Sequence, residues 1–389
     1  MCIVIFGDIF SFPEGDASTN RVYTYAKGFY ENGIRTDVVC FGNEYNSVDD
    51  GITNEIYFYN AFGQKERNKY FVIRNFQKLL KYFKTIKLIK RINNEEKIIA
   101  IIIFTNFLST HLFAWLLSKI FKTKLIIEIS ENPLRHYQNG TLKKKLGVLK
   151  FYIESYLCDG VFCISRFLVD FYKEHGISQK KLFIVLCTAD PDRFTQSVEK
   201  PVPYSYIGYF GGLTFKRDNI DVLFKAFALI SNKHPDIHLI AGGVGTDNER
   251  KQIGSLIQEL NISSKAVLLE FLSRSEIVRY IVHSDILVMV RGKDMESQAS
   301  FPSKLTEYLS TSKPVVSANV GEISDYLTDG VNSFLVEPEN ATELAEKLDY
   351  VLNNYDLALE VAKRGKELTD TIFNYNYQAK RIIQYIETL

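Results

Sequence analysis

The segment FPSKLTEYLSTSKPVVS, residues 301–317, sets a Pro-Ser pair at the start of a short helix, with an acid, Glu307, about one turn further in. Proline needs no amide partner in a first helical turn, and a serine hydroxyl can cap one. The open amides and dipole of a helix start attract anions, phosphate above all. Glu307 lies too far along to share that anion, but its carboxylate can accept hydrogen bonds from vicinal hydroxyls such as those of a ribose. Phosphate at the tip with a sugar clamp behind it would describe a nucleotide site. An ordinary capped surface helix would carry the same residues.

Other chemistry-bearing groups are sparser. GGVG at 242–245 is a partial phosphate loop without the full dinucleotide fingerprint. Asp190, Pro191 and Asp192 have the form of an Asp-x-Asp metal site, but they follow a strand and lead into a linker, so they read as a connection. His234 and His238 have a helical zinc spacing, yet Pro235 lies between them and no third ligand is suggested. No nucleophilic triad is evident, and none of these groups suggests a metal or cofactor.

These groups must be positioned by a chain of alternating elements. In the first two hundred residues CIVIFG, TDVVCFG, IIAIIIF, KLIIEIS, GVFCIS and LFIVLC are strand-like, and helical or basic stretches separate them. The pattern pauses at the proline-rich 190–205 and restarts with YIGYFGG, IHLIAGG, AVLLEFL, DILVMV and PVVSA. Short β-branched runs with helices between them mark parallel sheets covered on both faces. The fold class expected is α/β, with two Rossmann-like domains facing across a cleft. Their expected bounds are 1–200 and 201–372, with a final helix, 373–389, packing back toward the first. Ligands in such sheets sit beyond the carboxyl ends of the strands, which selects the loops at 7–18, 128–136, 208–218, 242–246, 271–274 and 291–304.

The segments 159–194, 206–227, 237–245, 267–290 and 301–340, in this order and spacing, resemble family 4 glycosyltransferases, retaining enzymes of GT-B fold. The Pro-Ser-Lys signature at 302–304 places the chain near one subset of that family. The resemblance implies a nucleoside-diphosphate sugar as donor on the second domain, an acceptor on the first, retention at the anomeric carbon and no metal. It also assigns roles. Glu307 would hold the ribose, and Pro302, Ser303 and Lys304, next to Phe301, would hold the diphosphate. Arg217 falls where a diphosphate-binding lysine is usual, and Leu272 and Ser273 where backbone groups meet the base. Gly15 resembles the flexible glycine of the loop nearest donor and acceptor, although a lone glycine also suits a plain turn. Three departures stand out. Ala299 replaces the first of two glutamates eight positions apart, Gly212 stands where an arginine is frequent, and a His-Glu pair reads Ser130-Glu131. Glu131, Arg217 and Lys304 are therefore the candidate catalytic groups.

At 389 residues two domains are the prior, and 46% hydrophobic with 24% charged residues is a globular composition. The net charge of +1 hides an asymmetry: residues 1–195 hold 27 Lys+Arg against 20 Asp+Glu, and the remainder 20 against 26. Residues 65–91 alone hold ten Lys+Arg against one Glu. On a helix Leu79, Tyr82, Phe83, Ile86 and Ile89 would share one side and Lys81, Lys84 and Lys87 another, which suits an anionic membrane surface. A second basic cluster follows at 141–152. Nucleic acid is not expected, since no binding module accompanies the charge. The apolar tract 98–121 reads as a strand and a helix rather than a membrane span, because Thr105, Asn106 and Ser109–His111 interrupt it. Five cysteines without a CxxC pair and no signal-like start fit a cytoplasmic protein peripherally attached to the membrane. The expected activity is transfer of a hexosyl group to a lipid-linked or oligosaccharide acceptor in surface polysaccharide assembly. A sugar-nucleotide epimerase of similar architecture and a catalytically weak nucleotide-binding scaffold are the rivals.

Overall fold

The computed structural model describes residues 1–15, 17–45, 49–137, 140–195, 198–270 and 272–389. The chain forms two compact units, Met1–Leu186 with Tyr375–Leu389, and Cys187–Asn374. The first unit ends at Leu186 rather than near 200, because the segment beyond it belongs to the second. Ala189 pairs with Asn374 there, and Phe194 is buried.

The first unit runs β1 (Cys2–Gly7), α1 (Ala17–Glu31), β2 (Arg35–Cys40), β3 (Gly51–Thr53), β4 (Ile56–Asn60), α2 (Phe71–Glu95), β5 (Ile98–Phe104), α3 (Leu108–Phe121), β6 (Lys124–Ile129), α4 (Thr141–Leu157), β7 (Gly160–Cys163), α5 (Arg166–Glu174) and β8 (Leu182–Ile184). The C-terminal helix, Tyr375–Thr388, packs on α1, where Ala379 touches Gly28. The strands form one sheet in the order β3-β4-β2-β1-β5-β6-β7-β8, parallel except for the β3–β4 pair. β1 is buried on both faces, as its unbroken apolar run requires. α1 packs on β1, β2 and β4, while α3 packs on β5 and β6 and touches both α2 and α4. The tract 98–121 is indeed a strand and a helix, and no helix of the described residues is long and apolar enough to cross a membrane.

The second unit runs β9 (Ser205–Gly212), α6 (Ile220–Ile230), β10 (Ile237–Val244), α7 (Asp247–Glu259), β11 (Ala266–Leu268), α8 (Arg274–His283), β12 (Ile286–Met289), α9 (Met295–Ala299), α10 (Ser303–Leu309), β13 (Val315–Ala318), α11 (Ile323–Tyr326), β14 (Phe334–Val336), α12 (Ala341–Asn353) and α13 (Tyr355–Asp370). Its six strands lie in the order β11-β10-β9-β12-β13-β14, all parallel. The chain winds outward from β9 to β11, then crosses back to β12. The carboxyl ends of β9 and β12 therefore flank the topological switch point, where open α/β sheets bind ligands.

One expectation fails on α2. Lys81 does not share an outer side with Lys84 and Lys87. It is buried, donating to the Phe41 carbonyl at 2.8 Å and to Asn43 Oδ1 at 2.7 Å, with its ammonium 3.9 Å from the Phe41 ring centre. The inward face is Lys81, Thr85, Ile89 and Ile92, while Leu79 and Phe83 point outward. An inward lysine is tolerated because its head finds a carbonyl, an amide oxygen and a ring.

His111, on α3, is fully buried, and neither ring nitrogen has a hydrogen-bond partner. Burial, aided by the charge of Lys150, lowers its pKa from 6.5 to about 4. The folded value is depressed, so the stability this residue carries is complete above pH 6.5 and lost as the pH falls through 4. Chemical denaturation should find the wild type losing about 2–3 kcal/mol more than His111→Leu between pH 7 and pH 4. Parallel pH profiles for the two would contradict this assignment.

Candidate functional site

β9 ends in Gly211 and Gly212, and the chain then turns through 213–219 into α6. Thr214 Oγ1 holds that turn: it accepts from the Arg217 and Asp218 amides at 3.3 and 3.1 Å and donates to Asp218 Oδ2 at 2.8 Å. Asp218 folds back over Gly212, where any Cβ would lie 2.2 Å from its carboxylate. Gly212 is thus a requirement of the turn.

Across the switch point, α10 leans on the end of β9 through two side chains one turn apart. Tyr308 accepts from the Phe210 amide at 2.7 Å and donates to the Phe210 carbonyl at 3.0 Å. Lys304 donates to the Tyr209 hydroxyl at 2.8 Å and lies 3.5 Å from Asp218 Oδ1. Its ammonium fills the space that a side chain at Gly211 would need, 2.5 Å from the Cβ position. Burial, with the charges of Arg291 and Arg217 acting against the attraction of Asp218, lowers the Lys304 pKa to about 8.

Arg291 follows β12 directly and is 6% exposed. Its guanidinium donates to two hydroxyls, Ser297 Oγ at 3.1 Å and Ser300 Oγ at 2.7 Å, and no carboxylate pairs with it among the described residues. Burial and the nearby charge of Arg217 push its pKa down. The exposed Arg217 is tied to this strand end through its carbonyl, which accepts from the Gly292 amide at 3.2 Å. Two buried cations, Lys304 and Arg291, therefore share one switch point with the exposed Arg217, and Asp218 is the carboxylate beside Lys304.

The remaining expected residues fall as follows. Pro302 occupies the cap position of α10 and Ser303 the first helical one, and no side chain caps the helix. Pro302 carries no N–H, so only the Ser303 and Lys304 amides can donate to an anion there. Phe301 is a core residue, not a ligand contact: it is 4% exposed and packs on Tyr326 and Phe373 at 5.7 and 5.4 Å. Glu307 accepts from Arg193 at 3.1 Å, with both side chains partly buried. Ser273 is the cap of α8, its amide and hydroxyl engaged with Glu276, which leaves the half-buried Leu272 as the freer of that pair. Ala299 is fully buried, so the position of the absent glutamate is occupied by core packing. Glu131 and Gly15 lie in the first unit. Glu131 pairs with Arg135, and the space a side chain would need at Gly15 is filled by Thr19. His234 pairs with Asp349 at 2.7 Å while His238 stacks on Tyr204, so the two do not converge. Among the described residues no cluster could hold a metal ion.

Arg291, Asp218 and Arg193 went unnoticed in the sequence. The first two sit in or next to loops that the strand-end rule selects, so that rule could have found them. Arg193 could not have been found, since its partner is 114 residues away.

Residues 191–368 match the family model described as glycosyl transferases group 1. The match covers the whole switch point of the second unit. An uncharacterized glycosyltransferase of Methanocaldococcus jannaschii, MJ1178, is 24% identical over 218 residues, 54% of either chain. One of Haemophilus influenzae is 22% identical over 174 residues, 44% of this chain and 45% of the relative. The chain spans about half the length of the curated relatives it matches. Among solved structures, sucrose-phosphate synthase from Thermosynechococcus elongatus superposes with a TM-score of 0.75 at 16% identity, covering 100% of this chain and 98% of that one. Anabaena HepE, solved with UDP-glucose, has a TM-score of 0.69 at 16% identity, with all of both chains covered. At these identities the likeness is one of fold: two Rossmann-like domains of the GT-B type.

Gly211→Ala tests the cation cluster. The added methyl must push the Lys304 ammonium off Tyr209, and the flexible lysine can yield without unfolding the unit. Pyrophosphate should raise the melting temperature of the wild type but leave that of the variant almost unchanged. The ligand-free variant should melt no more than about 2–4 °C lower. An equal pyrophosphate shift in both would remove Lys304 from the anion site.

Proposed function

We propose that the protein is a retaining glycosyltransferase that moves a hexosyl group from a nucleoside-diphosphate sugar to a lipid-linked or oligosaccharide acceptor. The observation that carries this reading is the buried pair Lys304 and Arg291 at one switch point, where Arg291 donates to two hydroxyls and Lys304 lies 3.5 Å from Asp218. The donor's diphosphate supplies negative charge to this pair. Glu307, one turn along α10, accepts the ribose hydroxyls, and Arg193 fixes the carboxylate's orientation. As the glycosidic bond breaks, charge builds on the departing diphosphate, and preorganised cations in a partly buried site stabilise that state most. The cations of this chain provide the neutralisation, so the reaction as proposed needs no metal. HepE was solved with UDP-glucose, which makes UDP-glucose the first donor to assay.

The acceptor is assigned to the first unit. A cavity of about 690 Å³ there, between α2 and the carboxyl ends of β2 and β4, is lined by Glu44, Tyr59, Gln64, Lys84 and Arg91 among others. Its size suits a sugar headgroup. A place in surface polysaccharide assembly, at the cytoplasmic face of a membrane, follows from such an acceptor.

Incubation with radiolabelled UDP-sugars, with and without polyprenyl-diphosphate lipid, separates transfer from the rival activities. Label should move to the lipid, and Lys304→Met should lower kcat about a hundredfold while raising the donor KM far less. Glu307→Ala should weaken UDP binding by about 1.5–3 kcal/mol. Isomerised donor without transfer would make the protein an epimerase, and UDP binding without turnover would make it a scaffold.

A further inference from the structure

The outer face of α2, α3 and α4 is more apolar than a solvated surface. On α2, Phe76, Leu79 and Phe83 are 59%, 60% and 65% exposed, at the i, i+3, i+7 spacing of one helix side. On α3, Leu112, Leu116 and Ile120 are 40%, 45% and 50% exposed, two turns of i, i+4 steps. On α4, Leu142, Leu146 and Leu149 are 72%, 53% and 56% exposed. The three helices lie side by side: Tyr82 of α2 meets Phe113 of α3 at 4.8 Å, and Lys150 of α4 acts on His111 of α3. Each helix sends a different side inward, so these stripes are surplus to the core.

The charge of the same helices is one-sided. Together they carry twelve Lys+Arg against two acids, Glu95 and Glu154. Glu154 is buried and paired with Lys150 at 2.8 Å, so Glu95 is the outward acid. Lys78, Lys84 and Lys87 on α2 and Lys143, Lys144 and Lys145 on α4 are all exposed.

We infer that this three-helix face docks on an anionic lipid bilayer. The aliphatic and aromatic side chains enter the headgroup boundary, and the lysines beside them meet lipid phosphates. A second copy of the chain is a poor occupant, because a two-fold contact would press one positive face against another. The face is distinct from the donor site, so the inference stands whether or not the sugar-transfer reading does.

The protein should co-sediment with vesicles of phosphatidylglycerol and phosphatidylcholine at 0.1 M salt, and far less with phosphatidylcholine alone. Replacing Lys143, Lys144 and Lys145 by Glu should lower the partition coefficient at least a hundredfold. The pair Leu142→Ser and Leu146→Ser should lower it about tenfold or more even at low salt, which separates bilayer insertion from attraction to any polyanion. All substituted residues are exposed, so unchanged melting curves will confirm that each variant folds. Equal pelleting with neutral and anionic vesicles, or no pelleting with either, would overturn the inference. So would a dimer in solution that the Leu→Ser pair dissolves, since the face would then belong to a second copy.

Discussion

The second unit is organised around one ammonium group held where an ammonium group is costly. Lys304 brings its charge under the end of β9, and every neighbour is shaped to allow it. Gly211 leaves the space, the Tyr209 hydroxyl accepts the hydrogen bond, and Asp218 supplies the countercharge. Gly212 is bare because Asp218 must fold back across it, and Thr214 holds the turn that makes it do so. A buried lysine near two arginines destabilises the ligand-free unit. Such an arrangement is expected where an anion completes the balance, and perturbed pKa values gather at such places.

The two units share a topology but differ in what they place at it. In the second, the switch point between β9 and β12 carries three cations. In the first, the strand end of β1 carries Asp8, whose carboxylate accepts from Thr110 on α3. The nearby Lys81 is held by Phe41 and Asn43 and has its pKa lowered to about 8 by burial. The first unit instead concentrates positive charge on the outer side of one helix layer, beyond its core. The positive excess of the first half of the sequence thus resolves into a basic outer face, whereas the pocket cations of the second unit sit within an acidic half.

Much of this was legible in the sequence because parallel sheets write themselves as continuous apolar runs. IIAIIIF reads as a strand buried on both faces, and the break at 105–107 splits it from α3. The β3–β4 hairpin at 51–60 was not legible, since GITNEIYFYN mixes polar and apolar residues as an edge does. Of the site, Glu307 was visible from helix-start chemistry and Lys304 from the family resemblance, yet their partners were not. Arg193 is linked to Glu307 only through the folded unit, and Phe301 looked like a ligand contact until its neighbours Tyr326 and Phe373 were in place. Lys81 misled for the opposite reason: periodicity assigns a lysine to solvent, whereas a carbonyl from another loop can hold it inside.

Proton exchange on nucleotide binding reports directly on the buried ammonium of Lys304. A diphosphate beside Lys304 must raise its pKa from about 8, so UDP binding near pH 8 should draw a fraction of a proton from the buffer. Calorimetry in buffers of different ionisation enthalpy reads that uptake. Contact between Lys304 and the diphosphate predicts uptake by the wild type and none by Lys304→Met. UDP binding without proton uptake in the wild type, or equal uptake in both proteins, would contradict it.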